Sequence, residues 1–223
     1  MPESSFFTPE VFVFLRQLKR NNDRDWFAKN KARYEEYLQK PALAFISAFA
    51  SQLEEISPHL VADARPTRGS LFRIYRDTRF SHDKRPYKTH VGMHFFHAKG
   101  KDAHAPGFYL HIEPGQCFVG GGIWHPDNAS LTKIRTAITG DSEAWLKARG
   151  KLLRTEDKLK KPPRGFPPDH RFAEDLKLKS FVGTVSLDDD RICSGRFLRD
   201  FTKECKKIAP LVEFTTRALG LKF

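Results

Sequence analysis

The sequence predicts an α+β fold: a mostly antiparallel sheet of about five strands, with helices from both ends of the chain packed against it. Three observations carry this. The first sixty residues space their apolar side chains at helical intervals. Between Leu71 and Trp124 the period shortens to that of strands, and the segments are joined by short connections that favour antiparallel pairing. Helical patterning then returns and dominates the C-terminal part, so helices and strands are segregated rather than alternating. The 223 residues suffice for one sizeable core, and the chain reads as a single domain, 1–223.

The elements follow in order. Thr8, Pro9 and Glu10 form a start signal for a helix whose apolar face is Val11, Phe12, Leu15 and Leu18. Asn21-Asn22 breaks it, and a short second helix begins near Asp23–Asp25. Asn30 is placed to cap a third helix, which Pro41 ends or kinks. A fourth spans 42–56. Strands are expected over Leu71–Asp77, Thr89–His97, Gly107–Glu113 and Gln116–Trp124, with a turn at Pro114-Gly115, and a later strand over 181–187. Asp127–Thr139 and Ser142–Lys151 read as helices. The proline-rich stretch 158–170 reads as a loop, and two helices follow, one capped by Ser194 and running to about Lys207, the other over 210–219.

The formal net charge is +12 and it is uneven. Residues 71–110 carry eight basic and three acidic side chains, and residues 151–180 carry nine and five. Focused positive charge attracts phosphates, nucleic acid or anionic lipid, although a basic surface without a polyanion partner is also compatible with these numbers. Cys117, Cys193 and Cys205 are odd in number and widely spaced, which fits a reducing, cytoplasmic setting. No stretch approaches the length of apolar residues that a membrane span requires, so no membrane partner is expected.

The densest feature is RIYRDTRFSHDKRPYKTH, Arg73 to His90. Six basic residues sit there beside only Asp77 and Asp83. Arg73, Tyr75, Arg76, Asp77, Arg79, Lys84, Tyr87 and Lys88 are therefore the candidate ligand-binding residues. The arginines and lysines would supply charge to an anion, Asp77 would orient a guanidinium, and the tyrosines would stack or hydrogen-bond. The competing reading is structural, with the basic residues pinning a long loop to helices through Glu35, Glu36, Glu54 and Glu55. Strand parity further predicts that Arg73, Tyr75, Asp77, His94, Tyr109, His111 and Glu113 line one face of the sheet, either as a polar pocket floor or as a solvated surface.

His90, His94 and His111 are candidates for a general acid or base. With Glu113 they could compose a metal site, but no H-E-x-x-H or Cys/His spacing supports one, and no metal is expected. Gly120-Gly121-Gly122 matches no phosphate-binding fingerprint and is better explained by close packing or a bulge. Asp188-Asp189-Asp190 reads as an acidic turn.

The stretches NNDRDWF, FRIYRDTRFSHDKRPYKTHVGMHF and GFYLHIEPGQCFVGGGIWHP, with the later KKPPRGFPPDH and DLKLKSF, resemble a widespread family of single-domain proteins known only as a domain of unknown function. The likeness covers nearly the whole chain and implies one complete domain. It implies no activity, substrate or cofactor. The residues themselves leave three expectations: binding of a phosphate-bearing ligand such as a nucleotide or nucleic acid at the Arg/Lys-rich site, an enzyme acting on a small phosphorylated or carboxylated substrate through a histidine, or a protein-interaction domain in which the basic stretch is structural.

Overall fold

The computed structural model describes residues 5–100, 104–151, 153–154 and 156–223. Helix α1 covers Pro9–Arg20 and buries Val11, Phe12, Phe14, Leu15 and Leu18. Helix α2, Arg24–Tyr34, starts where the Asp23 carboxylate accepts from the Trp26 N–H at 2.8 Å. Asn30 does not cap a further helix. It lies inside α2, its side-chain amide donating to the Trp26 carbonyl. A π-helical turn, Glu35–Gln39, joins α2 directly to α3, Lys40–Ile56. The widened turn lets the chain pass Pro41, which has no N–H to give the ladder, without breaking.

The sheet has four strands among the described residues, not about five: β1 Val91–Phe96, β2 Gly107–Ile112, β3 Cys117–Ile123 and β4 Phe181–Leu187. All pairs are antiparallel, in the order β1-β2-β3-β4. The expected strand at Leu71–Asp77 is absent because its backbone divides its hydrogen bonds between two partners. Ser70 and Phe72 bond His94 and Gly92 on the β1 edge, with Leu71 opposite Met93. From Ile74 the chain turns to its own return limb instead, with Lys88 N–H to Ile74 O, Arg76 N–H to Pro86 O, and Tyr75 opposite Tyr87. The result is a hairpin that projects from the sheet. At the far edge, Leu153 bridges Gly183 and Arg154 N–H donates to Val182 O.

Helices α4 (Asn128–Gly140) and α5 (Ser142–Arg149) follow β3, and both are capped by aspartates, Asp127 and Asp141. Two short helices, α6 (Ala173–Leu176) and α7 (Asp189–Ile192), flank β4. The two C-terminal helices expected from sequence are one: α8 runs from Phe197 to Ala218 straight through Pro210. Pro210 is exposed, and so is Lys206 one turn before it, so the carbonyl that loses its partner faces water.

One sheet face carries Val91, Met93, Phe95, Phe108, Leu110, Val119, Phe181 and Leu187, all buried. It packs on α8 and, through rings, on α3: Phe49 lies 4.8 Å from both Phe95 and Phe201, and Phe45 lies 5.1 Å from Phe197. Gly121 sits on this face at the closest approach of α8, where a Cβ would meet Ile208 at 2.7 Å. Burial pushes the Cys117 thiol up to about 12 and Cys193 up to about 11, which keeps both as unreactive thiols at neutral pH. No helix among the described residues is long and apolar enough to cross a membrane.

Candidate functional site

The second sheet face is partly open: Tyr109, His111, Phe118 and Thr184 are half-buried and Ser186 is exposed. The register pairs Gly92 with His111, His94 with Tyr109, Tyr109 with Gly120, and Gly107 with Gly122, so these residues share one surface. That surface is the floor of a cavity of about 710 Å³. Three of its floor positions, Gly107, Gly120 and Gly122, carry no side chain, and a Cβ at Gly120 would meet nothing nearer than 3.7 Å. The walls come from the segments along the two sheet edges and from the end of β3. Phe72, Lys88 and His90 stand on the β1 side, Arg154, Glu156 and Asp157 on the β4 side, and Trp124 and His125 between. The two basic segments of the sequence therefore contribute to the same cavity, through Lys88 and Arg154.

Aromatic rings dominate the lining. His111 stacks on Phe118 at 4.8 Å, Phe72 lies 5.9 Å from Tyr109, and Trp124 stacks on His104 at 5.7 Å. His125 holds a left-handed backbone, φ 43°, tied by its N–H to Ser180 and by its ring to Asp157 at 3.2 Å. The positive charge is selective. Arg154 is paired with Glu156 at 3.2 Å, whereas among the described residues no carboxylate is ion-paired to Lys88. The Lys88 ammonium donates to the Arg73 carbonyl at 2.8 Å and lies 5.4 Å from the Phe72 ring centre. Burial, and then the charge of Arg73, pulls it below its ordinary value.

At the β1 end, Tyr109, His111 and Glu113 form a chain. The Tyr109 hydroxyl lies 3.1 Å from His111 Nδ1, and His111 Nε2 lies 3.2 Å from Glu113 Oε2. Thr89 Oγ1 donates to Glu113 Oε1, and Lys19 stands 3.6 Å from the same oxygen. Gly92 makes room for this chain: a Cβ there would lie 2.5 Å from the Tyr109 hydroxyl. The His90 ring lies 4.4 Å from that of His111, tilted by 32°. Burial, and then the neighbouring His111, pulls His90 down to about 4, and burial lowers His111 as well. Burial and the Glu113 charge push the Tyr109 hydroxyl far up, so it stays protonated.

Of the residues marked out by sequence, His90, His94, Tyr109, His111 and Lys88 line the cavity. Arg73, Tyr75, Arg76, Asp77, Arg79, Lys84 and Tyr87 belong to the projecting hairpin and do not line it. The hairpin answers its own charge. Arg76 pairs with Asp83, Arg79 with Asp77 and Arg85 with Asp83, each at 2.7 Å, and Lys84 donates to the Thr78 carbonyl. Three of the four glutamates expected as its partners are engaged elsewhere: Glu35 with Lys31, Glu36 with Lys40 and Glu55 with Lys206. What fastens the hairpin to the helices is Asn22, whose side chain bonds both the N–H and the carbonyl of Tyr87 at 3.0 Å, while the Tyr87 ring stacks on Phe27 at 4.1 Å. Phe72, Trp124 and Arg154 were not singled out from sequence. Parity assigned Phe72 to the opposite face, because parity holds only inside a continuous strand.

The pairing predicts a pH response. Arg79 holds Asp77 down at about 2, and Lys158 and Lys177 hold Glu174 at about 2, against ordinary values of 3.8 and 4.5. Groups depressed in the folded state contribute stability above their unfolded values, and that contribution is lost as pH falls through the folded values. The melting temperature of the wild type should exceed that of an Asp77→Asn, Glu174→Gln variant above about pH 4–5, and the gap should close toward about pH 2. A gap that stays constant over this range would show that the pairs contribute nothing through charge.

Searches of curated proteins and of solved structures return no match. A family model described as "Conserved hypothetical protein (DUF2461)" matches residues 10–214, a span that takes in the four-stranded sheet, both cavity walls and most of α8. The chain belongs to the DUF2461 family.

Proposed function

We propose that the protein binds a small ligand that joins a flat ring to an anionic group, of the size and chemistry of a mononucleotide, in the cavity over the second sheet face. The observation that supports this most directly is the combination in one chamber of about 710 Å³ of stacking rings, a glycine floor and the Lys88 ammonium, to which no carboxylate among the described residues is ion-paired. The volume lies in the range of small-molecule sites, roughly 300–1,000 Å³. Phe72, Tyr109, Phe118 and Trp124 offer ring faces. A phosphate or carboxylate beside Lys88 would relieve an ammonium that burial makes unfavourable. The self-paired hairpin arginines are less suited to the role, since an anion would have to displace Asp77 and Asp83.

The test is a thermal-shift panel at low salt with inorganic phosphate, nucleoside mono- and triphosphates, sugar phosphates and short oligonucleotides. A ligand at one hundred times its dissociation constant stabilises the folded state by about 2.7 kcal/mol, which is readily seen. Nucleotides should shift the wild type. Lys88→Met and Gly120→Val should abolish the shift, and Arg76→Gln, Arg79→Gln should retain it. Loss in the double arginine variant with retention in Gly120→Val would move the site to the hairpin. Silence across the panel would remove the anion reading.

A further inference from the structure

We propose that His90, His111 and Glu113 bind a divalent first-row transition-metal ion at the β1 end of the cavity, with its open coordination positions facing the chamber. Each residue offers one ligand atom, and these atoms lie within 4.8 Å of one another. Small side-chain rotations bring such a set onto metal–ligand bonds of about 2.0–2.2 Å. Two imidazoles and one carboxylate suit zinc or iron(II), whereas magnesium and calcium prefer all-oxygen sets.

The surroundings fit a metal ligand set in three ways. His111 is held at both nitrogens. With Nε2 on the ion, Nδ1 keeps its proton and donates to the Tyr109 hydroxyl 3.1 Å away, the outer-shell bond that fixes a ligating imidazole. Glu113 is divided between its oxygens: Oε1 is engaged by Thr89 and Lys19, which leaves Oε2 toward His111. Gly92 supplies the space that the Tyr109 hydroxyl occupies, so the outer shell is built into the backbone. The three ligands sit on or beside two paired strands: His111 lies in β2, Glu113 directly follows it, His90 immediately precedes β1, and Val91 pairs with Ile112, between His111 and Glu113. His90 and His111 line the chamber, so the unfilled positions of a three-ligand ion point at whatever occupies it. The inference deepens the cavity reading and rests on it only in the last respect, where the anionic end of the ligand would complete the coordination.

The full chain, stripped with a chelator and exchanged into chelator-free buffer, is titrated with zinc chloride by calorimetry and with cobalt(II) chloride by visible absorption. One ion per chain is expected, with a cobalt spectrum of low coordination number. His90→Asn, His111→Asn and Glu113→Gln should each weaken binding by at least about 10–100-fold. His82→Asn, on the hairpin, and Cys117→Ser should bind as the wild type does. Circular dichroism checks that each variant is folded, and Glu113→Gln, which preserves shape, keeps the test decisive if a histidine variant unfolds. Absence of one-to-one binding of both ions, or equal binding by wild type and Glu113→Gln, would overturn the site. The nucleotide panel run on the stripped protein separates the two readings. A nucleotide shift without metal binding leaves the cavity reading standing alone, and metal binding without a nucleotide shift leaves the ion alone.

Discussion

Valine at position 121 is expected to destabilise the protein by about 3 kcal/mol, whereas valine one residue earlier, at 120, should change stability by less than about 1 kcal/mol. The two glycines are neighbours on β3 and point to opposite faces. A Cβ at Gly121 meets Ile208 at 2.7 Å and Phe108 and Val212 at 3.0 Å, and valine adds two methyl groups to that contact. Helix α8 would have to move off the sheet, at the upper end of what overpacking usually costs. At Gly120 the nearest atoms are Phe118 carbons and the Gly183 carbonyl, at 3.7–3.9 Å, which is ordinary contact, and beyond them is the chamber. Chemical denaturation of both variants measures the difference. Equal losses would mean that the Gly120 face is packed rather than open, and the cavity would fall with it.

The second large effect is expected at Trp145. Its ring is fully buried in α5, 5.7 Å from Phe181 on β4 and 5.1 Å from Phe214 on α8, so it joins the sheet to two helices. Its indole N–H donates to the buried Asp175 carboxylate at 2.8 Å, which Arg149 also engages. Trp145→Ala removes the largest side chain of the core and leaves Asp175 short of a donor. Losses of about 3–5 kcal/mol accompany such truncations. Trp145→Phe should recover most of the packing but not the hydrogen bond, and should fall between. A urea midpoint for Trp145→Ala within error of the wild type would contradict this account of the core.

What could be read from the sequence followed from periodicity, and what could not depended on choices between distant partners. Alternation within Gly107–Glu113 put Tyr109, His111 and Glu113 on one face, and the structure keeps them there. The Pro114-Gly115 turn holds because Gly115 takes φ 72°. By contrast, His90 beside His111 requires the β1–β2 register, and a connection spanning residues 97–106 does not encode it. Leu71–Asp77 has strand chemistry, but pairing splits between β1 and the hairpin's return limb. Asn30 and Pro210 carry the local signals of a helix start and a helix stop, yet both lie inside helices whose buried faces, Phe27 in one and Ile208, Leu211 and Val212 in the other, outweigh them. The basic motif divides: Lys88 and His90 line the chamber, whereas the rest of it stays on the hairpin. Its aspartates lie close in sequence to Arg76, Arg79 and Arg85 and pair with them, a choice of partner that charge counting alone does not reveal.

The short backbone bridges at the two margins of the sheet have a consequence for self-association. Strand edges recruit other strands when they present a free row of donors and acceptors. Here residues 70–72 bond β1 at Gly92 and His94, and Val61 bonds it at Phe96, whereas residues 153–154 engage only the start of β4, at Val182 and Gly183. The β1 margin therefore lacks the uninterrupted template that fibril growth or strand exchange between copies would need. Continuation of the sheet from one molecule into the next is not expected through that margin.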